Sequence, residues 1–185
     1  MTTLVAGPSS AGKSTFIQHN YPASRTIYGF EITEHTALPS GIVHYNILFR
    51  AGAAAASELD SLPPDWDFMA EPKFRTIIAS GQIDKAIVIV APIAELRERM
   101  AIRQAVEPMR ASPGRYPNRK WLDILSKVDL FAIYERLFGA LDAAFIPYDV
   151  LYSSAAFSSD GEPVFLPSDR AHTHQNLRGI YHPSP

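Results

Sequence analysis

Apolar residues in the first 153 positions fall into five short runs separated by segments of helical periodicity. Each run is rich in β-branched or aromatic side chains, which indicates a strand. The predicted strands cover residues 4–6, 25–32, 41–49, 84–91 and 145–152. The fourth run is apolar without interruption, which is typical of a central parallel strand covered on both faces.

Between these strands the spacing of apolar residues predicts helices. The helices cover residues 13–20, 51–62 and 74–80, begin again at residue 93, and cover residues 121–141. Asp129 would break the last helix and cap its second part. The alternation of strands and helices predicts an α/β fold with a five-stranded parallel sheet and right-handed crossovers.

The composition is that of one globular domain, and we expect residues 1–185 to form it. A net charge of -2 gives no basic field for nucleic acid or a membrane surface, and the absence of cysteine excludes a thiolate metal site. Residues 154–185 are rich in Ser, Pro, Asp and His, which predicts an irregular C-terminal tail. No apolar run could span a membrane and no signal peptide fits before residue 7, so we expect a cytoplasmic protein.

Residues 7–14 (the glycine loop) read Gly-Pro-Ser-Ser-Ala-Gly-Lys-Ser and match the phosphate-binding P-loop pattern, with a strand before and a helix after. In this pattern the glycines let successive N–H groups face one hollow that holds phosphate oxygens, and the helix N-terminus adds its dipole. Lys13 would reach the outer phosphates of ATP, and the Ser14 hydroxyl would bind Mg²⁺. A chance match has odds of roughly one in a hundred or less. The predicted nucleotide-binding residues are Gly7, Ser9, Ser10, Ala11, Gly12, Lys13, Ser14 and Thr15.

Other classes of P-loop protein carry signatures that this chain lacks. Residues 118–121 read Asn-Arg-Lys-Trp and are not the guanine-binding Asn-Lys-x-Asp, and no Ser-Gly-Gly-Gln of a transporter ATPase occurs. No apolar strand ends in the paired acids that motor-like ATPases use.

Over residues 1–153 the chain instead resembles the nucleotide, gluconate and shikimate kinases, and its motifs are most similar to those of chloramphenicol phosphotransferase and the zeta toxins. The resemblance implies a three-layer P-loop NTPase fold with helices on both faces of a five-stranded parallel sheet and a lid. It also implies transfer of the γ-phosphate of ATP to a hydroxyl of a sugar, nucleoside or antibiotic-like acceptor. A P-loop sulfotransferase and a non-catalytic nucleotide-binding regulator are the alternatives, and a homodimer stays open.

Chloramphenicol phosphotransferase has an aromatic-Gly-x-acid sequence that is similar to Tyr28-Gly29-Phe30-Glu31 in this chain. The resemblance implies that Glu31 accepts the proton of the acceptor hydroxyl. Glu34 and His35 are rival candidates, and His35 is also a candidate for binding the acceptor. A solvated loop carboxylate is the alternative interpretation of Glu31.

The pattern Leu96-x-x-Arg99-x-x-x-Arg103 resembles the helix that leads into the lid of these kinases. Arg99 and Arg103 share one helix face, where their charges would offset the charge of the transferring phosphate. For Arg99 an ion pair with Glu95 is the alternative. The lid would cover about residues 104–120, with Arg110 and Arg115 facing phosphate, although an ordinary exposed loop fits the same composition.

The third strand departs from the family, because it carries His44-Tyr45-Asn46 where many relatives have an aspartate that supports magnesium. Asn46 would hold a metal-bound water and His44 would face the acceptor, although a histidine on an apolar strand is more often a core residue. His172, His174 and His182 with Asp169 form a weak candidate metal cluster, for which exposed polar sequence is the alternative.

Overall fold

The computed structural model describes residues 1–33, 36, 38, 40–48, 67–106, 129–154 and 163–168. These residues form an α/β fold with a mixed sheet and helices around it. In the described part of the chain the sheet has six strands in the order β2-β3-β1-β4-β5-β6. The strands are β1 (Thr2–Gly7), β2 (Thr26–Tyr28), β3 (Gly41–Asn46), β4 (Ile83–Val90), β5 (Tyr148–Ser154) and β6 (Val164–Ser168). The first five pair in parallel, and β6 runs antiparallel to β5.

The helices of the described ranges are α1 (Lys13–Asn20), α2 (Pro72–Ala79), α3 (Ile93–Val106) and α4 (Leu130–Ala143). Two 3-10 turns cover Gly29–Glu31 and Phe68–Ala70. The predicted cap is confirmed, because the Asp129 carboxylate accepts the Ala132 N–H at 3.1 Å. None of these helices combines the length and the apolar character needed to cross a membrane.

Several predicted features lie outside the described residues. They are the helix over residues 51–62, the residues between 107 and 128 that include most of the lid, and the rival residues Glu34 and His35. Arg110, Arg115 and the candidate cluster of His172, His174, His182 and Asp169 also lie outside.

The second strand is shorter than the predicted 25–32, because the chain turns after Tyr28. A Cβ on Gly29 would lie 2.9 Å from Cδ2 of Tyr45, so only glycine lets the backbone pass this ring. The Glu31 carboxylate accepts the Tyr28 N–H at 2.8 Å and closes the 3-10 turn. Residues that looked apolar enough for a strand therefore leave the sheet.

The prediction of a purely parallel sheet is wrong at one edge, where part of the expected irregular tail forms β6. The strand contains Pro167, and proline cannot donate a hydrogen bond to a neighbouring strand. Here it pairs with Leu151 in the outermost strand, where a missing donor is tolerated. The sheet thereby gains a strand that covers one side of β5.

The core is centred on β1 and β4. Leu4, Val5 and Ala6 are fully buried, and residues 86–90 of β4 and Ala91, which follows the strand, are at most 4% exposed. This confirms the prediction of a central parallel strand in this segment. The chain runs from β1 to β2 and β3 on one side of β1 and then crosses to β4 on the other side. Open α/β sheets bind ligands beyond the carboxyl ends of the strands at such a switch in direction.

Candidate functional site

The glycine loop joins the carboxyl end of β1 to the start of α1. Ser10 and Gly12 both have left-handed backbones, with φ of 63° and 93°. Gly12 is the N-cap residue of α1 and has no side chain with which to cap the N–H groups of the first helical turn. The loop therefore presents a positive helix end and turned peptide groups to one hollow.

Both glycines of the loop are required by close approach. A Cβ on Gly7 would lie 2.7 Å from the Ile89 carbonyl oxygen. A Cβ on Gly12 would lie 3.0 Å from Cζ of Phe165 and 3.3 Å from Oγ of Ser153. The loop is thus packed against β4 on one side and against β5 and β6 on the other.

Lys13 is enclosed by the loop and is only 4% exposed. Its ammonium donates to the carbonyl oxygens of Gly7 and Pro8 at 2.9 and 2.6 Å. Within the described residues no carboxylate lies within ion-pair distance of it. Burial, and after it the charge of Arg103, lowers the pKa of Lys13 from 10.5 to about 7. A buried ammonium with only carbonyl partners is costly, and an anionic ligand would offset that cost.

The side chain of Ser10 is an unsatisfied polar group within the loop. Its Oγ is buried and has no hydrogen-bond partner in the described part of the protein. Buried polar groups are normally paired, and an unpaired one calls for an explanation such as a missing ligand. Of the other predicted nucleotide-binding residues, Ala11 is fully buried, and Ser9 and Thr15 are half-buried.

Ser14 lies on the β3 side of the loop with its side chain exposed. Its Oγ is 3.4 Å from Nε2 of His44, whose ring packs on Tyr28 at a centroid distance of 5.0 Å. His44 therefore faces the loop rather than the core. The described residues contain no cluster of three or more His, Asp or Glu arranged to hold a metal. They fit magnesium only as a site with one protein hydroxyl, in which phosphates and waters supply the other ligands.

Glu31 and Asn46 lie at the same edge of the sheet. Asn46 pairs with Gly7 in register, and its Oδ1 accepts the Leu48 N–H at 3.1 Å, so its carbonyl oxygen already serves a turn. Glu31 is exposed beyond the carboxyl end of β2, with one carboxylate oxygen bonded to the Tyr28 N–H. Its carboxylate is accessible to a small molecule at this edge.

The two arginines of α3 differ in their surroundings. Arg99 is 18% exposed and pairs with Glu95 at 2.6 Å, which is the alternative recognised in the sequence. It also contacts the loop from outside, through the Ser10 carbonyl at 3.3 Å. Arg103 is exposed and close enough for its charge to lower the pKa of Lys13. Of the two, Arg103 is the one with a guanidinium open to solvent beside the loop.

Sequence reasoning missed Ser153, Ser154 and Phe165. The first two end β5, whose predicted end was residue 152. The carboxyl ends of parallel strands lie at the same edge of a sheet. Two serines directly after the predicted strand over residues 145–152 could therefore have been recognised as candidates for the site. Phe165 packs on Phe16 of α1 at a centroid distance of 5.2 Å and on Gly12. No local pattern signals this contact, because it depends on the return of β6.

No protein-family model matches this chain, and no curated protein matches its sequence.

Proposed function

We propose that this chain is an ATP-dependent small-molecule kinase with a three-layer P-loop fold and a lid over about residues 104–120. The observation that carries the proposal is the buried ammonium of Lys13, which is held by two carbonyls of the glycine loop at the start of α1. The unpaired Oγ of Ser10 supports it. Phosphate oxygens would supply the negative charge and the acceptors that both groups lack.

The donor would bind with its phosphates in the glycine loop. Lys13 would turn from the carbonyls of Gly7 and Pro8 to the outer phosphates, and the Ser14 hydroxyl would bind a magnesium ion. When bound, Mg²⁺ neutralises charge on the phosphates that the loop holds. Arg103 would add a cation that offsets charge developing on the transferred group.

The acceptor would lie on the β2–β3 side of the loop, where Glu31 and His44 are found. In-line transfer depends on position and charge more than on strong basicity, so an exposed carboxylate suffices to orient a hydroxyl and take its proton. The acceptor class that we propose is a hydroxyl-bearing metabolite such as a sugar, a nucleoside or an antibiotic-like compound. Such a kinase would work in the cytoplasm, where ATP is supplied.

The proposal is tested by a screen of hydroxyl-bearing metabolites for ADP release with Mg²⁺ and ATP. A kinase gives ADP release that rises with one class of acceptor and is lost in Lys13→Met. Glu31→Gln should keep ATP binding and lose transfer, whereas Glu98→Gln, an exposed change on α3, should leave both intact. Transfer that persists in Glu31→Gln assigns the base elsewhere. Saturable binding of a sulfonated nucleotide without ATP turnover would favour the sulfotransferase, and ATP binding with no acceptor effect would favour the regulator.

A further inference from the structure

We propose that Arg99 is a positioning residue that holds the glycine loop in its phosphate-binding conformation, and that it does not contact the phosphates. The nature of the ligand rests on the function proposed above, but the positioning itself does not. Arg99 lies on α3, 89 residues from its contact in the loop. It therefore links a distant helix to the hollow.

Both terminal nitrogens of the Arg99 guanidinium donate hydrogen bonds within the described residues. One terminal nitrogen donates to the Ser10 carbonyl at 3.3 Å and to Ser153 Oγ at 3.1 Å. The other donates to Glu95 at 2.6 Å and to the Ser153 carbonyl at 3.4 Å. The second oxygen of Glu95 accepts from Ser154 Oγ at 2.5 Å. The arginine is thus fixed between α3, the end of β5 and the loop.

The contact with Ser10 sets the direction of one loop amide. In a planar trans peptide the C=O and the following N–H point in opposite directions. Arg99 draws the Ser10 carbonyl outward, so the Ala11 N–H points back across the loop. There it reaches only the Pro8 carbonyl, at the long distance of 3.4 Å. That N–H can therefore turn to a phosphate oxygen without losing a strong bond.

The backbone of Ser10 needs such support. Its φ of 63° is left-handed, which is unfavourable for a residue with a Cβ. Without Arg99 the Ser10–Ala11 peptide could rotate through ψ of Ser10 and φ of Ala11, and the Ala11 N–H would leave the hollow. Direct phosphate binding is the competing role, but the Glu95 carboxylate already neutralises the Arg99 charge, while Arg103 is exposed one turn later.

The two roles predict opposite effects of removing Glu95. If Arg99 positions the loop, Glu95→Gln loosens it, and the variant binds phosphate more weakly, in the same direction as Arg99→Met. If Arg99 contacts phosphate directly, Glu95→Gln frees its charge and binding stays equal or tightens. Isothermal titration with ADP and with inorganic tripolyphosphate measures both. We expect about tenfold weaker binding of both probes in Arg99→Met, a smaller loss in Glu95→Gln, and no change in the matched surface variant Arg97→Met.

A second readout needs no ligand. Amide hydrogen exchange of residues 9–14 in the free protein should become faster in Arg99→Met and Glu95→Gln than in the wild type and Arg97→Met, while exchange in β1 and β4 stays unchanged. Unchanged exchange in the loop overturns the positioning role. Equal or tighter binding in Glu95→Gln also overturns it, and so does a loss in Arg99→Met confined to tripolyphosphate. If the wild type binds neither probe, the proposed function fails, whereas the exchange result still decides the role of Arg99.

Discussion

Removing the ammonium of Lys13 should stabilise the free protein while it destroys the proposed site. The Lys13→Met variant keeps most of the aliphatic side chain and loses the charge. Lys13 is 4% exposed and its ammonium has only two carbonyl partners. The wild type therefore bears the cost of a buried charge that no ligand offsets, and the variant does not.

The size of the effect follows from the pKa of Lys13, which burial and the charge of Arg103 lower from 10.5 to about 7. That difference corresponds to about 5 kcal/mol in favour of the neutral amine, which is a ceiling for the gain. The carbonyls of Gly7 and Pro8 lose a donor at about 1 kcal/mol each. We therefore expect the unfolding free energy of Lys13→Met at pH 6 to exceed that of the wild type by roughly 2–4 kcal/mol. The Tm should be roughly 5–10 °C higher.

The difference in unfolding free energy between Lys13→Met and the wild type should decrease as the pH rises. Below pH 7 Lys13 is protonated in both the folded and the unfolded state, so the full cost is present. Between pH 7 and 10.5 the unfolded chain keeps a proton that folded Lys13 has released, so wild-type stability rises with pH by about 1.4 kcal/mol per pH unit relative to Lys13→Met. This difference in unfolding free energy (the stability gap) should therefore be smaller at pH 9 than at pH 6.

Urea unfolding without nucleotide at pH 6, 8 and 9 measures the gap directly. Lys85→Met is the matched control, because Lys85 is partly exposed and pairs with Asp149 at the surface. It should change the unfolding free energy by less than about 1 kcal/mol at each pH. A Lys13→Met variant that is no more stable than the wild type at pH 6, or a gap that does not change with pH, would refute the reasoning.

Three further predictions concern Gly12 of the loop, the cap of α4 and the protonation of Lys13. Gly12→Ala should cost about 1–3 kcal/mol in urea unfolding and weaken nucleotide binding, because φ is 93° and the new Cβ would lie 3.0 Å from Phe165; a neutral effect would contradict this packing. Asp129→Ala should lower the unfolding free energy by about 1 kcal/mol through loss of the cap on Ala132, with nucleotide affinity unchanged. Nucleotide binding at pH 8 should take up protons, because bound phosphates raise the pKa of Lys13 from about 7. Calorimetry in two buffers of different ionisation enthalpy measures this uptake, and equal heats in both buffers would count against it.

The fold was predictable where local pattern and tertiary structure agree. The predicted helix over residues 13–20 coincides with α1, and the apolar run of β4 lies at the centre of the sheet as expected. The early end of β2 was not predictable, since it depends on the Tyr45 ring beside Gly29. The strand β6 was missed because its proline argues against a strand unless the strand is known to lie at an edge.

The site was predictable to a similar degree. Contiguous residues of the glycine loop were found directly, because their spacing encodes the backbone that they need. Of the residues that reach the loop from elsewhere, Arg99, Arg103 and His44 were named from the sequence, whereas Ser153 and Phe165 were not. For Arg99 the sequence left both phosphate contact and an ion pair with Glu95 open, and helical spacing cannot reveal that Ser153 and the Ser10 carbonyl lie beside it.

The central claim is that residues 7–15 hold the phosphates of a nucleotide, and titration calorimetry of ATP with Mg²⁺ tests it most directly. We expect saturable binding to one site per chain in the wild type and in Lys85→Met. Inorganic tripolyphosphate should compete for this site, and affinity should fall at least about a hundredfold in Lys13→Met. Absence of binding to the wild type, or equal affinity in Lys13→Met, would contradict the account.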